Sequence, residues 1–376
     1  MGYARARLQE AGRIVVKVGT STLAYGPGRL NLLRIEKLVR ELADLANQGK
    51  EILLVSSGAI AAGLGRIGLD KKPDSIPQKQ AVAAIGQSVL MHVYEKFFSE
   101  YGKVMGQVLL TKENSVRHHQ YIHSRNALLA LLEMGVIPVI NENDAVAVDE
   151  IKIGDNDSLS ATVATLVDAD ALIILSDIDG LYTANPQEDA EARLLDEVCE
   201  ITPELERIAG GSGSDMGTGG MSTKIDAAKV AMNAGVTMVI APGGRDGVLH
   251  EILSGKPVGT VFPAKPSHLK LRKSWLAFGK RLDGDIIVDD GCVQAMVKNG
   301  SSILAAGIVE CDGEFRAGNT VRVLNKKKQE IARGIVNYDT GELRKILGRQ
   351  TKEFSGLLQG KIHDEVIHRD NMVLMV

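Results

Sequence analysis

The stretch GVIPVINENDAVAVDEIKIGDNDSLSA (Gly135–Ala161) connects a strand to a helix through two polar clusters. Its apolar start, Gly135–Ile140, predicts a buried strand that runs into Asn141–Asp144 (NEND). The second cluster, Asp155–Ser158 (DNDS), leads into Leu159–Ala164, whose spacing predicts a helix. A strand therefore ends in carboxylates and amides, and a helix begins at a second set of them.

Two interpretations of these clusters are open. Asn, Asp and Ser are favoured in turns and at helix N-termini, so either cluster alone fits ordinary capping. In an open α/β sheet, however, ligands bind at the carboxyl ends of the strands, and a helix N-terminus attracts anions there. Seven Asn, Asp and Glu residues in two bursts exceed what two turns require, which favours a functional site.

The first predicted strand, Gly12–Val18 (GRIVVKV), carries a lysine near its C-terminal end. Lys17 precedes a turn at Gly19, and a lysine in this position is well placed to meet a phosphate. The alternative is a lysine on an edge strand whose ammonium reaches out to solvent. The residue pattern alone does not separate the two.

Two further strands also end in small or polar residues. Glu51–Val55 predicts a strand followed by Ser56–Ala59 (SSGA), where small side chains allow a ligand to approach the backbone as a helix begins. Asp170–Leu175 predicts another strand, and it ends in Ser176 and Asp177. Both strand ends are candidates for the same ligand-binding edge.

The glycine-rich segment Gly210–Gly220 (GGSGSDMGTGG) precedes a helix predicted to start near Met221, with Lys224 in its first turn. It lacks the Gly-Lys-Ser/Thr of a Walker A loop, but glycine N–H groups, a helix N-terminus and a lysine can together hold a polyphosphate. A flexible linker is the alternative, and the regular helix behind the glycines argues against it. The GxGxxG match at Gly63–Gly68 is rejected because it follows a helical segment instead of a strand.

The composition excludes several classes of protein. The chain has 376 residues, 44% hydrophobic and 24% charged, with a formal net charge of -3, so no overall charge favours nucleic acid or an anionic membrane. No apolar run approaches the roughly 18 residues of a membrane span, and we expect no signal peptide. The three cysteines are far apart, which fits a reducing compartment without disulfides or zinc. His119 and His123 lie one helical turn apart, but no third ligand is evident, so we predict no metal site in the chain.

Alternation of strands and helices continues to about Phe262 and predicts an α/β domain over residues 1–262. A charged, Pro-containing linker follows at 263–275. Residues 276–376 carry short β-like runs separated by Gly and Asp turns, for example Ile303–Val309, and predict a small, mostly β domain.

The chain resembles the amino acid kinase family, and the small second domain resembles a PUA domain. The resemblance covers nearly the whole length and rests on six motifs in order, namely Val16–Ser21 (VKVGTS), Val55–Ala59 (VSSGA), Ile140–Asp144 (INEND), Gly154–Ala161 (GDNDSLSA), Ser176–Tyr182 (SDIDGLY) and Gly217–Lys224 (GTGGMSTK). It implies a three-layer α/β fold with a mostly parallel sheet between helices, plus a small PUA-like barrel. Among family members, the PUA-like tail is typical of those that phosphorylate the side-chain carboxylate of L-glutamate.

The resemblance also implies the roles of individual residues. Lys17 and Lys224 match the catalytic lysines, with Asp157 as the carboxylate that organises them. The glutamate contacts match Ser57, Asp144 and Asn156, with Asn141 in support and the amide groups near Ser57 and Gly58 around a carboxylate. The ATP contacts match Lys17, Ser176, Asp177 and the loop of Thr218, Gly219, Gly220, Met221, Ser222, Thr223 and Lys224.

The implied reaction transfers a phosphoryl group from ATP, with Mg²⁺, to glutamate as the first step of proline synthesis. The resemblance further implies inhibition by proline, a cytoplasmic location, a homo-oligomer (dimer or tetramer) and a glutamyl-phosphate reductase that receives the product. A related kinase acting on another acid is one alternative. RNA binding by the PUA-like domain is the other, but residues 276–376 carry 15 Lys and Arg against 14 Asp and Glu, a net charge of +1 that is far from a basic RNA-binding surface.

Overall fold

The computed structural model describes residues 3–25, 28–111, 118–146, 156–186, 189, 191–209, 220–265, 282–358 and 363–375. The chain divides into two compact units, Met1–Ser267 and His268–Val376. Each unit has its own buried hydrophobic cores.

The first unit is built on a mostly parallel sheet with the strand order β5-β6-β4-β1-β7-β8-β9, in which only the β8–β9 pair is antiparallel. A separate antiparallel pair, β2 with β3, lies between the first strand and the first long helix. The described strands are β1 (Arg13–Val18), β2 (Ala24–Tyr25), β3 (Arg29–Leu30), β4 (Glu51–Ser56), β5 (Met105–Leu110), β6 (Ile137–Glu142), β7 (Ala171–Ser176), β8 (Thr237–Pro242) and β9 (Thr260–Phe262).

Helices cover both faces of this sheet, and β1 shows how the sequence builds the three layers. Its side chains alternate between two cores: Ile14 and Val16 face one, and Val15 faces the other. The helices are α1 (Tyr3–Gln9), α2 (Thr20–Leu23), α3 (Leu32–Asn47), α4 (Ala59–Ile67), α5 (Ile76–Glu100), α6 (His118–Glu133), α7 (Asn156–Leu166), α8 (Pro203–Ala209), α9 (Met221–Asn233) and α10 (Val248–Leu253).

These cores assign α1, α3, α5 and α10 to one layer and α6, α7 and α9 to the other. The predicted three-layer α/β fold is confirmed. The Asn31 side chain caps α3 by accepting from the N–H of Arg34. The rejected GxGxxG lies in and just after helix α4, where a Cβ at Gly63 would come 2.1 Å from the Val82 carbonyl of α5.

The strand order creates a switch point beside β1. From β1 the chain fills one half of the sheet with β4, β5 and β6, and it then returns to the other side of β1 with β7. Ligands bind at the carboxyl ends of the strands at such a point. Lys17 lies on β1 at the centre of the sheet, so the alternative of an edge-strand lysine is wrong.

The second unit holds a five-stranded sheet with the order β11-β10-β12-β13-β14, which confirms the predicted mostly β fold. Its described strands and helices are β10 (Gly284–Val288), α11 (Asp290–Asn299), β11 (Ile308–Gly313), β12 (Thr320–Leu324), β13 (Glu330–Ile335), α12 (Thr340–Ile346) and β14 (Met372–Leu374). The strand predicted at Ile303–Val309 is wrong in its first half. Ile303 forms only an isolated bridge, a 3₁₀ turn follows at Ala305–Gly307, and the strand starts at Ile308.

Candidate active site

A single buried carboxylate joins two lysines from distant parts of the chain. Asp157 is the second residue of α7, and its Oδ1 lies 2.5 Å from Nζ of Lys17 on β1. Its Oδ2 lies 3.0 Å from Nζ of Lys224 in the first turn of α9. Asp157 is 0% exposed and each lysine is 6% exposed, so the three charges interact largely out of water.

The charges in this cluster favour the ionised aspartate. Burial alone would raise the pKa of the Asp157 carboxyl, but the charges and hydrogen bonds of Lys17 and Lys224 outweigh it and hold this pKa below its ordinary value. Two lysines against one carboxylate leave a net positive charge, which suits an anionic ligand.

The N-terminus of α9 adds to this cluster. The Thr223 hydroxyl lies 3.1 Å from Oδ2 of Asp157 and 2.7 Å from the carbonyl oxygen of Gly220, the residue that caps the helix. Met221 and Ser222 occupy the first turn with it. Thr218 and Gly219, which the sequence also assigned to this loop, lie outside the described residues.

An amide network connects the ends of β4 and β6 to the start of α7. Nδ2 of Asn156 lies 2.8 Å from Oγ of Ser57, 3.0 Å from Oδ1 of Asn141 and 3.3 Å from the carbonyl oxygen of Ser56. Asn156 immediately precedes Asp157, so this network and the lysine cluster share one helix N-terminus.

Gly58 and the Ser57 backbone shape the loop beside this network. Gly58 caps α4 with φ of 103°, a left-handed conformation that favours glycine. The Ser57 N–H donates to the carbonyl of Val18 at 3.1 Å. The backbone donor of Ser57 is therefore used within the protein, and its hydroxyl is the group that can serve a ligand.

Asp144 follows β6 and is half-buried. Burial raises the pKa of its carboxyl above the ordinary value, while the charge of Lys72 opposes that shift. A carboxylate in such a position gains from a cationic partner, which in a ligand would be an ammonium group.

A cleft of about 720 Å³ lies beside the end of β7. Its lining includes Ser176 and Asp177, which share a hydrogen bond of 3.0 Å, together with Arg34, Gly244 and Arg245. The lysine–aspartate cluster is not part of this lining. The cluster and the cleft are nevertheless close to each other at Gly19. A Cβ on Gly19 would lie 3.6 Å from Nζ of Lys17 and 4.0 Å from the carbonyl oxygen of Leu175, the residue before Ser176 of the cleft lining.

Most of the predicted site residues that the structure describes fall into three groups at the carboxyl ends of the strands: the lysine cluster, the amide network and the cleft. Asp144 follows β6 and makes no hydrogen bond or ion pair with any of the three groups in the described part of the chain. Two partners were missed. Gln87 of α5 accepts from Nδ2 of Asn141 at 2.9 Å, and Tyr94 of the same helix lies 2.8 Å from Oγ of Ser56. Neither residue is close to a strand end in the sequence, and no local pattern distinguishes them from other residues on the buried face of a helix.

No helix in the described part of the chain is long and apolar enough to cross a membrane.

Comparison with known proteins gives two family matches. The model of the amino acid kinase family matches residues 12–242, and that of the PUA domain matches residues 284–358. Three relatives are similar along nearly their whole length, and each is named glutamate 5-kinase. The Moorella thermoacetica protein is 49% identical over 99% of this chain and 98% of its own. The Thermoanaerobacter sp. protein is 51% identical over 96% and 98%. The Carboxydothermus hydrogenoformans protein is 52% identical over 99% and 100%.

Proposed function

Because this chain belongs to the amino acid kinase family, we propose that it transfers the γ-phosphoryl group of ATP to the side-chain carboxylate of L-glutamate. The products are ADP and L-glutamyl 5-phosphate, the first intermediate of proline synthesis. The relatives that carry the name glutamate 5-kinase support the choice of substrate, since they match both the kinase part and the PUA part of this chain. The structural observation that carries the proposal is Asp157, buried between Lys17 and Lys224 beside the amide network.

The chemistry needs no general base. A glutamate side chain has a reference pKa of about 4.3, so its carboxylate is already ionised near neutral pH. The barrier comes from bringing one anion to another and from the charge that spreads over the transferring oxygens. Phosphoryl transfer therefore depends mainly on positioning and electrostatic stabilisation.

We assign that stabilisation to the two lysines. Lys17 approaches from the end of β1 and Lys224 from the start of α9, so together they can hold the transferring group from two sides. Asp157 keeps both ammonium groups in place before the nucleotide binds. The first turn of α9, from Met221 to Lys224, adds N–H groups and a positive field for the phosphates.

The remaining ATP contacts are assigned to Ser176 and Asp177, which line the cleft at the end of β7, and to Thr218, Gly219 and Gly220 ahead of α9. The size and position of the cleft support a nucleotide there, and Arg34 and Arg245 supply positive charge along its lining.

Glutamate is assigned to the amide network on the other side of the lysines. Asp144 pairs with the substrate ammonium, while the Ser57 hydroxyl and the backbone at Gly58 hold a carboxylate. Asn156 contacts the substrate directly and Asn141 supports it. The burial of Asp144 supports this assignment. Burial disfavours the charged carboxylate and raises its pKa, and a cationic partner such as the substrate ammonium would stabilise the charged form.

We further propose that ATP acts with Mg²⁺. The described residues contain no group of three or more His, Cys, Asp or Glu side chains that could hold a metal ion. Asp177 in the cleft lining would offer the ion a carboxylate oxygen, and the phosphates of the nucleotide would supply the other charged oxygens that Mg²⁺ prefers. When bound, the ion neutralises phosphate charge.

The biological setting is a proposal that rests on the family. The enzyme acts in the cytoplasm as a homo-oligomer, is inhibited by proline and passes its unstable product to a glutamyl-phosphate reductase. The PUA domain has a regulatory or structural role, which its near-neutral charge supports over RNA binding.

A hydroxylamine trap tests the substrate assignment. The protein is incubated with ATP, Mg²⁺ and hydroxylamine plus L-glutamate, L-aspartate or N-acetylglutamate, and the acyl hydroxamate is measured. Product from glutamate alone supports the proposal. Product from another acid would retain phosphoryl transfer to a carboxylate but overturn the glutamate site, and no product from any of them would overturn the reaction.

A further inference from the structure

We infer that Gln87 is a positioning residue for the substrate site: it fixes the orientation of two side-chain amides, so that Asn156 presents an acceptor to the substrate and Ser57 presents a donor. This inference rests on the proposed function and deepens it. Gln87 lies on α5, is 8% exposed and reaches the site only through other side chains.

The backbone carbonyl of Ser56 determines how the Asn156 amide is oriented. The backbone carbonyl of Ser56 can only accept a hydrogen bond. The Asn156 side-chain atom that lies 3.3 Å from it must therefore be the amide nitrogen, Nδ2. The hydrogen-bond partner therefore distinguishes the nitrogen of the Asn156 side-chain amide from its oxygen, two atoms that are otherwise hard to tell apart.

The orientation of Asn156 then determines that of its neighbours. Nδ2 of Asn156 lies 3.0 Å from Asn141, so the facing atom must be the acceptor Oδ1. Nδ2 of Asn141 consequently points the other way and lies 2.9 Å from Oε1 of Gln87. Gln87 ends the series as its last acceptor and holds the Asn141 amide against rotation.

This orientation has a cost that is visible at Gln87. Its Nε2 is buried and has no hydrogen-bond partner among the described residues. An unsatisfied buried donor is unfavourable. The side chain nevertheless keeps its oxygen towards Asn141, since rotating the amide would set two N–H groups against each other.

The network leaves specific groups for the substrate. Nδ2 of Asn156 has two hydrogens and already faces three protein acceptors, on Ser57, Asn141 and Ser56. No donor in the described part of the chain reaches Oδ1 of Asn156, so this oxygen is the atom available to a ligand, and it suits the substrate ammonium beside Asp144. The Ser57 hydroxyl accepts from Asn156, so its own proton is left for a substrate carboxylate.

The test compares Gln87→Met with Gln87→Glu in the full-length enzyme. Methionine has a similar length but offers no comparable acceptor. A glutamate side chain keeps an oxygen that can accept from Asn141, and burial favours its neutral form, in which a hydroxyl replaces the unpartnered Nε2. Met91→Leu, also on α5 and buried but outside the network, is the control for repacking.

We expect Gln87→Met to raise the KM for glutamate about tenfold, with kcat within about threefold and the KM for ATP unchanged. We expect Gln87→Glu to bring the glutamate KM back to within about threefold of wild type. Thermal unfolding of all variants separates loss of stability from loss of affinity. If Gln87→Met does not fold, Gln87→Glu keeps the inference falsifiable, because a tenfold rise in its glutamate KM would overturn it.

Glutarate, which is glutamate without the ammonium group, tests whether the Asn156 oxygen accepts from the substrate ammonium. Its inhibition constant should rise less than the glutamate KM does in Gln87→Met, because glutarate lacks the ammonium that the Asn156 acceptor serves and keeps only the carboxylate that the Ser57 hydroxyl serves. An equal rise for glutarate and glutamate would overturn the assignment of Asn156 to the ammonium. Turnover of the wild-type enzyme on glutamate tests the proposed function without any variant. A failure of the proposed function is therefore distinguishable from a failure of the Gln87 inference.

Discussion

Nζ of Lys17 lies 2.5 Å from Oδ1 of Asp157, and this contact connects the central strand of the sheet to the N-terminus of helix α7. Lys224 lies on the other oxygen of the same carboxylate. Asp157→Asn would leave two buried lysines without their counter-charge. Breaking a buried ion pair by removing one partner costs about 3–5 kcal/mol, and we expect a loss of that size in urea unfolding.

Turnover should fall with stability in this variant, because Asp157 also positions the lysines. The control is Asp226→Asn, which removes an exposed carboxylate on α9 that pairs with Lys229 at 3.1 Å. An exposed pair contributes only about 0.2–1 kcal/mol. If the two variants were equally stable and active, the central role of Asp157 would be wrong.

Lys224→Ala tests the assignment of transition-state charge. Removing one donor from a preorganised anion site typically lowers kcat by about 10²–10³-fold, and we expect such a fall with a glutamate KM close to wild type. Lys229→Ala is the matched control on the same helix, since Lys229 is partly exposed and pairs with Glu206 and Asp226. A raised glutamate KM with normal turnover would reassign Lys224 to substrate binding.

Asp144 should govern the acid limb of the pH profile for glutamate. Burial raises the pKa of this carboxyl in the folded protein, so the charged form is lost at a higher pH than for an ordinary aspartate. If Asp144 pairs with the substrate ammonium as proposed, this pairing is lost as the pH falls through the raised pKa, and kcat/KM for glutamate declines. Asp144→Asn should raise the glutamate KM and remove this limb.

Asp157 behaves in the opposite sense, since its pKa is lowered in the folded protein. Its contribution to stability is fully present above the unfolded pKa and is lost only as the pH falls through the lower folded value. Because Asp157 loses its charge only at a lower pH, it does not account for a decline in kcat/KM at the raised pKa of Asp144. An acid limb that persists in Asp144→Asn would contradict the role given to Asp144.

Gly58→Ala tests the loop at the start of α4. The position has φ of 103°, but an added Cβ would meet only Leu23 at 3.6 Å, an ordinary contact. The expected effect is backbone strain of about 1–2 kcal/mol, seen as a lower unfolding midpoint together with a higher glutamate KM. Gly12→Ala, where an added Cβ has only Asp170 at 3.5 Å, is the control. Equal effects of the two changes would remove the special role of the loop.

Much of the first unit could be predicted from the sequence because its strands are short apolar runs that end abruptly in polar residues. Lys17, Ser57, Asn141 and Ser176 could each be assigned to a strand end. The order of the strands could not be read locally, since the pairing of β1 with both β4 and β7 depends on contacts across long stretches of chain. The predicted family is confirmed by the matches over the kinase and PUA parts.

The sequence of the second unit contains a helix-capping pattern that the prediction of a mostly β domain did not include. Asp339 and Glu342 form a capping box at the start of α12, and this spacing predicts a helix N-terminus. The helix is short, and the surrounding Gly and Asp residues favoured a turn. The role of Gln87 could not be predicted from any local pattern, because it arises from a contact with Asn141 that exists only in the folded protein.

The most direct test of the central claim follows an oxygen atom of the substrate. L-Glutamate labelled with ¹⁸O in its side-chain carboxylate is incubated with the enzyme, ATP, Mg²⁺ and hydroxylamine, and the inorganic phosphate is analysed by mass spectrometry. If the carboxylate attacks the γ-phosphorus, one ¹⁸O becomes the bridging oxygen of the acyl phosphate. Hydroxylamine then attacks the acyl carbon and releases phosphate that carries this atom. Phosphate with one ¹⁸O is the predicted result, and phosphate formed along with ADP but without the label would contradict the account.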